Sequence, residues 1–150
     1  MEFWQIVFYL HSGVRWIVML AAVVALIYMI FGLVTRRAYD RNASLLMVIF
    51  VRSIEIQWLV GLVLLILYAI ALGSFLPAWW GHLILMTIAV VVAHMYMGFK
   101  RRPDSARYVV GIVAIVATLV LVILGVMALG GSRWGAPAIS TSSAITTTLY

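Results

Sequence analysis

The sequence predicts an all-α integral membrane protein in which four transmembrane helices form one bundle. Of its 150 residues, 67% are hydrophobic and only 9% are charged. Its mean hydropathy is +1.20, and four separate apolar stretches reach the roughly 20 residues that a helix needs to cross a bilayer. A soluble domain of this length does not have this balance of residues. The length leaves room for one compact bundle and no second domain.

The four predicted spans are separated by short segments that break helices or carry charge. They cover about residues 3–34, 43–72, 78–99 and 107–129. Gly73 and Pro77 favour a tight turn between the second and third spans. We therefore assign residues 1–131 to the bundle. Residues 132–150 are rich in Ser, Thr and Ala and are predicted to form a polar tail.

The basic residues indicate how the bundle is oriented. They concentrate in two loops that lie on the same side of a four-span chain, and they are Arg36, Arg37, Arg41, Lys100, Arg101, Arg102 and Arg107. Positively charged loops usually face the cytoplasm, so we expect both termini and the tail to lie outside. At the outer boundary we expect an aromatic belt of Trp4, Trp79, Trp80 and Trp134.

Composition also narrows the class of function. The net charge of +6 comes from the loops beside the spans, where it is explained by topology and by anionic lipid head groups, so we expect no nucleic-acid partner. Cysteine is absent, which excludes disulfides, iron–sulfur clusters and covalent c-type haem. The sequence contains no nucleophile–base pair, phosphate loop or carboxylate pair, which argues against a hydrolytic or group-transfer enzyme.

Six ionisable residues nevertheless lie inside the predicted spans. They are His11, Arg15, Arg52, Glu55, His82 and His94. Such groups are costly in a bilayer core, so they usually face the protein interior and mark a functional site.

His11 and His82 are the strongest candidates. By helix rise, His11 lies roughly 8–10 Å and His82 about 5–7 Å below the outer boundary. One hypothesis is that both are axial ligands of a single b-type haem, with Gly13 and Gly81 allowing close approach of the macrocycle and Arg15 neutralising a propionate. The alternative is that each histidine only makes a hydrogen bond between helices. The sequence leaves both interpretations open.

Arg15, Arg52 and Glu55 are predicted to form a charge cluster near the membrane midplane. Arg15 and Glu55 reach similar depths on antiparallel helices, and Arg52 precedes Glu55 by three residues, which suits a shared carboxylate. We favour a structural cluster over a proton path, because one carboxylate does not make a relay. The two arginines would also tune a nearby haem, because positive charge favours its reduced state.

His94 lies near the inner boundary and is followed by Met95 and Met97. Thioether sulfur suits Cu(I). Positions two apart on a helix diverge, however, so these side chains do not converge easily on one metal. We therefore expect core packing here, with no partner for the histidine.

A short motif adds a family resemblance. The segment His11-Ser12-Gly13-Val14-Arg15-Trp16 resembles the His-Ser-x-x-Arg-Trp opening of a family of small bacterial membrane proteins described as cytochrome b-like. Residues 56–62, 82–86 and 98–102 are also similar, so the resemblance covers about three of the four helices. It implies a four-helix fold, haem b and a bacterial cytoplasmic membrane. Family members have a histidine just before the Ile-Gln of the second helix, where this chain has Glu55.

The sequence thus leads to two functional hypotheses. The first is a membrane-bound b-type haem protein for electron transfer, with one haem near the outer face held by His11 and His82. The second is a non-catalytic subunit of a larger membrane complex, or a homo-oligomer, because a polar tail such as residues 132–150 can order against a partner. A transporter is disfavoured, because no helix is broken in mid-membrane.

Overall fold

The computed structural model describes residues 3–75 and 77–129 and confirms an all-α fold of four long helices. The helices are α1 (Phe3–Val34), α2 (Arg41–Leu72), α3 (Pro77–Ala93) and α4 (Asp104–Met127), and a short 3-10 helix, His94–Phe99, continues α3. The predicted bounds agree with these to within about three residues, apart from the change of helix type at the end of the third span. The predicted tail, residues 132–150, lies outside the described residues.

The helices form a ring in which each packs against two neighbours: α1 against α2 and α4, and α3 against α2 and α4. Short connections make consecutive helices antiparallel. We call the end that carries residues 35–40 and 100–103 the basic end, and the end that carries the turn after α2 the turn end. Gly73 ends α2 in the left-handed conformation, with φ of 61°, which a glycine adopts without strain.

All four helices, with α3 taken together with the 3-10 helix, are long and apolar enough to cross a membrane. Large apolar side chains cover their outward faces; Leu20, Ile27 and Ile70 are 65%, 63% and 73% exposed. A surface of this kind is suited to lipid rather than to water. The chain is therefore a multi-pass membrane protein.

Two buried clusters hold the bundle together. The larger one lies toward the basic end, where fully buried Ala22 and Ala25 allow close helix approach. There, a Cβ on Gly111 would come 3.2 Å from Met29 Sδ. The smaller cluster lies at the turn end and consists of Val7, Leu64, Tyr68 and Trp79, with partly buried neighbours. A gap between the two clusters leaves space inside the bundle.

The tryptophans at the turn end do not all face outward. Trp79 is only 8% exposed, and its ring centroid lies 6.0 Å from that of Tyr68 and 5.3 Å from that of Phe75. Trp80 is 56% exposed. Neighbouring helix positions are about 100° apart, so the two rings point in different directions, Trp79 into the bundle and Trp80 away from it. The surface position predicted for Trp79 is thus wrong, while Trp134 lies outside the described residues.

Candidate functional site

A cavity of about 240 Å³ lies between the two buried clusters, with walls from all four helices. Three of the predicted site residues, His11, Arg15 and His82, line it. The wall is otherwise mainly apolar, with Ser12 on α1 and Gln57 on α2 as further polar residues. The structure therefore brings both candidate histidines to one cavity, which is partly open to the outside of the bundle.

His82 is held by a backbone carbonyl on the neighbouring helix. Its Nδ1 lies 2.8 Å from the carbonyl oxygen of Gly125. A carbonyl only accepts hydrogen bonds, so the proton of a neutral His82 lies on Nδ1 and Nε2 carries a lone pair. Metal-binding histidines commonly have this arrangement, in which the hydrogen bond of one ring nitrogen orients the other toward the metal.

His11 is held by Gln57 on α2. The Gln57 amide nitrogen lies 3.2 Å from His11 Nε2 and donates to the backbone carbonyl of His11 over 3.0 Å. The contact with the carbonyl assigns the NH₂ group to this side of the amide, so His11 Nε2 accepts and Nδ1 carries the proton. His11 Nδ1 and Gln57 Oε1 are buried, and neither has a hydrogen-bond partner within the part of the chain that the structure describes.

The histidines therefore do link helices, as the second interpretation of the sequence expected. Each makes a hydrogen bond to the next helix. In each case one ring nitrogen is left without a hydrogen-bond partner among residues 3–75 and 77–129: Nδ1 of His11 and Nε2 of His82. The cavity can thus offer a ligand the lone pair of His82 Nε2, whereas His11 Nδ1 is fully buried next to Gly61.

The glycines beside the histidines do not have the predicted role. A Cβ added to Gly13 would have no neighbouring atom within 4 Å. Neither Gly13 nor Gly81 lines the cavity. The close approaches occur on the neighbouring helices instead. A Cβ on Gly61 would lie 2.8 Å from His11 Cε1, and a Cβ on Gly125 would collide with Met86 Cε. These contacts join residues distant in sequence, so the residues next to each histidine do not reveal them.

Arg15 contributes positive charge to the cavity wall. Its guanidinium carbon lies 5.5 Å from the ring centroid of Trp16, within the range of a cation–π contact. The predicted Arg15–Glu55 pair does not form, because the structure places Glu55 in a different cluster. Arg52, which was also predicted to lie near a cofactor, does not line the cavity.

The second cluster consists of Arg52, Glu55 and His94. Glu55 Oε2 lies 2.7 Å from Arg52 NH1, and Glu55 Oε1 lies 2.8 Å from His94 Nε2. His94 Nδ1 lies 2.7 Å from the carbonyl oxygen of Val90. The expectation that His94 has no partner is therefore wrong. Met95, which was expected to pack in the core, is 48% exposed.

The members of this cluster lie at one level of the bundle. Glu55 lies 17 residues before the end of α2 at Leu72, and His94 lies 17 residues after the start of α3 at Pro77. Both are therefore about 25 Å from the turn end by helix rise. Glu55 also lies 14 residues after the start of α2 at Arg41, so it is close to the middle of that helix.

Gln57 is the site residue that the sequence analysis misses. A search for ionisable groups passes over an uncharged amide, although a glutamine inside an apolar span is also costly unless it is hydrogen-bonded. Its position two residues after Glu55 is the available signal. Only the packing of α1 on α2 shows that His11 is its partner.

The fold and the cavity define a class: a multi-pass helical membrane protein with a histidine-lined internal cavity. No protein-family model, curated protein or solved structure matches this chain.

Proposed function

We propose that this protein is a membrane-bound b-type haem protein in electron transfer, with one haem in the histidine-lined cavity. The observation that carries the proposal is the bond from His82 Nδ1 to the Gly125 carbonyl. It leaves Nε2 as a neutral imidazole lone pair on an internal cavity. The opening motif around His11, which resembles that of cytochrome b-like proteins, supports the same class.

The two histidines are not equally ready to bind a haem iron. His82 already has the tautomer that an iron ligand needs. His11 Nε2 faces the Gln57 amide, so His11 serves as the second ligand only after that amide moves away. Arg15 offers a positive charge to a propionate, and the wall is largely apolar, as a macrocycle requires. The cavity volume of about 240 Å³ is below the roughly 300–1,000 Å³ of ligand pockets, so the helices must also separate to admit a haem. A bound haem would supply reversible one-electron exchange at its iron.

The protein residues around the cavity have distinct roles in this proposal. The Gly125 carbonyl makes the His82 imidazole a stronger donor. The charge of Arg15 favours the electron-rich state and so raises the reduction potential. Tyr68 and Trp79 of the turn-end cluster form part of the cavity wall and add to its apolar surface.

The proposal places the chain in a bacterial cytoplasmic membrane, with the basic end in the cytoplasm and both termini outside. The basic loops support this orientation through the positive-inside rule. His82 lies five residues after the start of α3, so the cavity would lie toward the outer face.

A pyridine haemochrome assay for haem content, together with the native absorption spectrum for iron coordination, tests this function on protein expressed with ample haem. We expect haem bound at one per chain. His82→Ala should abolish binding, and His11→Ala should convert a six-coordinate spectrum to a five-coordinate one. His94→Ala is the matched control and should keep the wild-type spectrum, because His94 is bound to Glu55 outside the cavity. Absence of haem from the wild type, or an unchanged His82→Ala spectrum, would overturn the proposal.

A second candidate is an accessory subunit in a membrane complex or homo-oligomer. The Arg52 side chain is 68% exposed on a helix that is otherwise suited to lipid. Charged groups inside membranes usually face protein or water, so a partner covering this face would explain the exposure. Light scattering in mild detergent tests this candidate: an assembly that Arg52→Gln dissociates supports it, and a monomeric wild type contradicts it.

A further inference from the structure

A second cavity, of about 180 Å³, lies at the basic end of the bundle. It is lined by Tyr39, Ser44, Tyr96, Lys100 and Arg107. These residues come from the loop before α2, the first turns of α2 and α4, the 3-10 helix and the residue that follows it. All five side chains can donate hydrogen bonds, and among the described residues no carboxylate lines the cavity. Such a wall is complementary to an anion.

The two cations are held in different ways. The Arg107 guanidinium carbon lies 3.8 Å from the ring centroid of Tyr39, which in turn packs against Tyr108 at 4.9 Å between centroids. The Asp104 carboxylate lies 3.7 Å from Arg107 NH1, outside the cavity wall, and offsets only part of its charge. Lys100 follows the 3-10 helix and is exposed, so its ammonium can move to meet a ligand.

The hydroxyl groups complete the wall. Burial raises the pKa of Tyr39 to about 12 even though the Arg107 charge opposes this shift, so its phenol stays a hydrogen-bond donor at neutral pH. Ser44 lies in the first turn of α2, where the helix dipole favours negative charge. The nearby Asp40 carboxylate does not line the cavity; it accepts hydrogen bonds from Tyr28 and Ala43.

We propose that this cavity binds the phosphate group of an anionic phospholipid head group. Arginine and lysine together match the charge and the several acceptor oxygens of a phosphate. Basic pockets between helices on the cytoplasmic side of membrane proteins bind head groups of this kind. Because this cavity shares no lining residue with the histidine-lined cavity, the proposal is independent of the haem proposal.

Native mass spectrometry of the full chain, purified in detergent and supplied with phosphatidylglycerol, tests this site. The wild type should retain one tightly bound lipid. Lys100→Gln with Arg107→Gln should weaken retention about 25-fold, at roughly fivefold for each lost charge. Arg101→Gln with Arg102→Gln makes the same charge change at exposed residues outside the cavity and should retain the lipid.

Further measurements distinguish a lipid head group from free phosphate and test whether a variant still folds. Phosphatidylcholine should bind less tightly than phosphatidylglycerol, and inorganic phosphate at millimolar concentration should not displace the bound lipid. Tyr96→Phe removes only a hydroxyl group and should weaken retention without loss of helicity by circular dichroism. Equal retention by the two double variants, or binding of inorganic phosphate in place of lipid, would overturn the proposal.

Discussion

His82 donates a hydrogen bond from Nδ1 to the carbonyl oxygen of Gly125 over 2.8 Å, and this contact joins α3 to α4 beside the internal cavity. The same glycine lacks the Cβ that would collide with Met86. The orientation of a candidate iron ligand thus depends on a residue 43 positions away that has no side chain.

Gly61→Ala should displace the His11 ring and disturb its bond to Gln57, because a Cβ on Gly61 would lie 2.8 Å from His11 Cε1. Overpacking of this kind costs roughly 1–3 kcal/mol, so we expect a lower thermal midpoint and, if haem is bound, a changed absorption spectrum. The control is Gly13→Ala, where a Cβ enters open space. It should be neutral or stabilise the helix by about 0.5–1 kcal/mol. Equal effects of both variants would contradict the close packing of α2 on His11.

Gln57→Leu should release His11 Nε2 from its amide partner. If haem is bound, the low-spin six-coordinate fraction should increase, because the second ligand no longer competes with the amide. Stability should fall by about 1–3 kcal/mol, since two hydrogen bonds between α1 and α2 are lost. Optical spectra and melting measure the two effects. A spectrum that does not change would show that His11 is not a ligand.

Glu55→Gln should destabilise the bundle, because it leaves Arg52 without its anion in a membrane-spanning segment. The Glu55 side chain is 25% exposed, so we expect about 1–3 kcal/mol, the range for lost hydrogen bonds to charged groups. The loss of stability is measured by unfolding the protein in mixed micelles that contain an increasing fraction of a denaturing detergent. Ile56→Ala, on the exposed side of the same helix, is the control and should change stability less. A smaller effect of Glu55→Gln than of the control would contradict the cluster's structural role.

Asp40 should make the loop between α1 and α2 sensitive to acid. The hydrogen bonds from the Tyr28 hydroxyl and the Ala43 N–H hold the pKa of its carboxyl below the usual value. Because the pKa is lower in the folded protein, the unfolded chain takes up the proton first as the pH falls. The contribution of Asp40 to the free energy of unfolding is therefore present above about pH 4 and is lost as the pH falls further.

Asp40→Asn should remove that part of the pH dependence, measured as the difference in melting temperature between wild type and variant from neutral to acidic pH. Asp104→Asn makes the same charge change at an exposed position and should leave the acid transition in place. If wild type and Asp40→Asn show parallel pH profiles, the carboxylate does not contribute in this way.

Several elements of the fold were predictable because their signals are local. The length of each apolar run gives the four helices, and the start predicted for α2 at residue 43 differs from the observed Arg41 by two positions. The earlier start is explained by Asp40, whose carboxylate Oδ1 caps α2 by accepting a hydrogen bond from the Ala43 N–H over 2.8 Å. Placing both histidines near one end of the bundle also required only residue counting along the helices.

The sequence alone determined four membrane-length helices and the polar side chains within them. The tertiary structure decided which of these meet: His11 with Gln57, His82 with Gly125, and His94 with Glu55. The physical reason is that these helices are apolar on every face, because lipid is as hydrophobic as the core. Hydrophobic periodicity therefore does not show which face turns inward, and close packing at small residues sets each helix's rotation and depth.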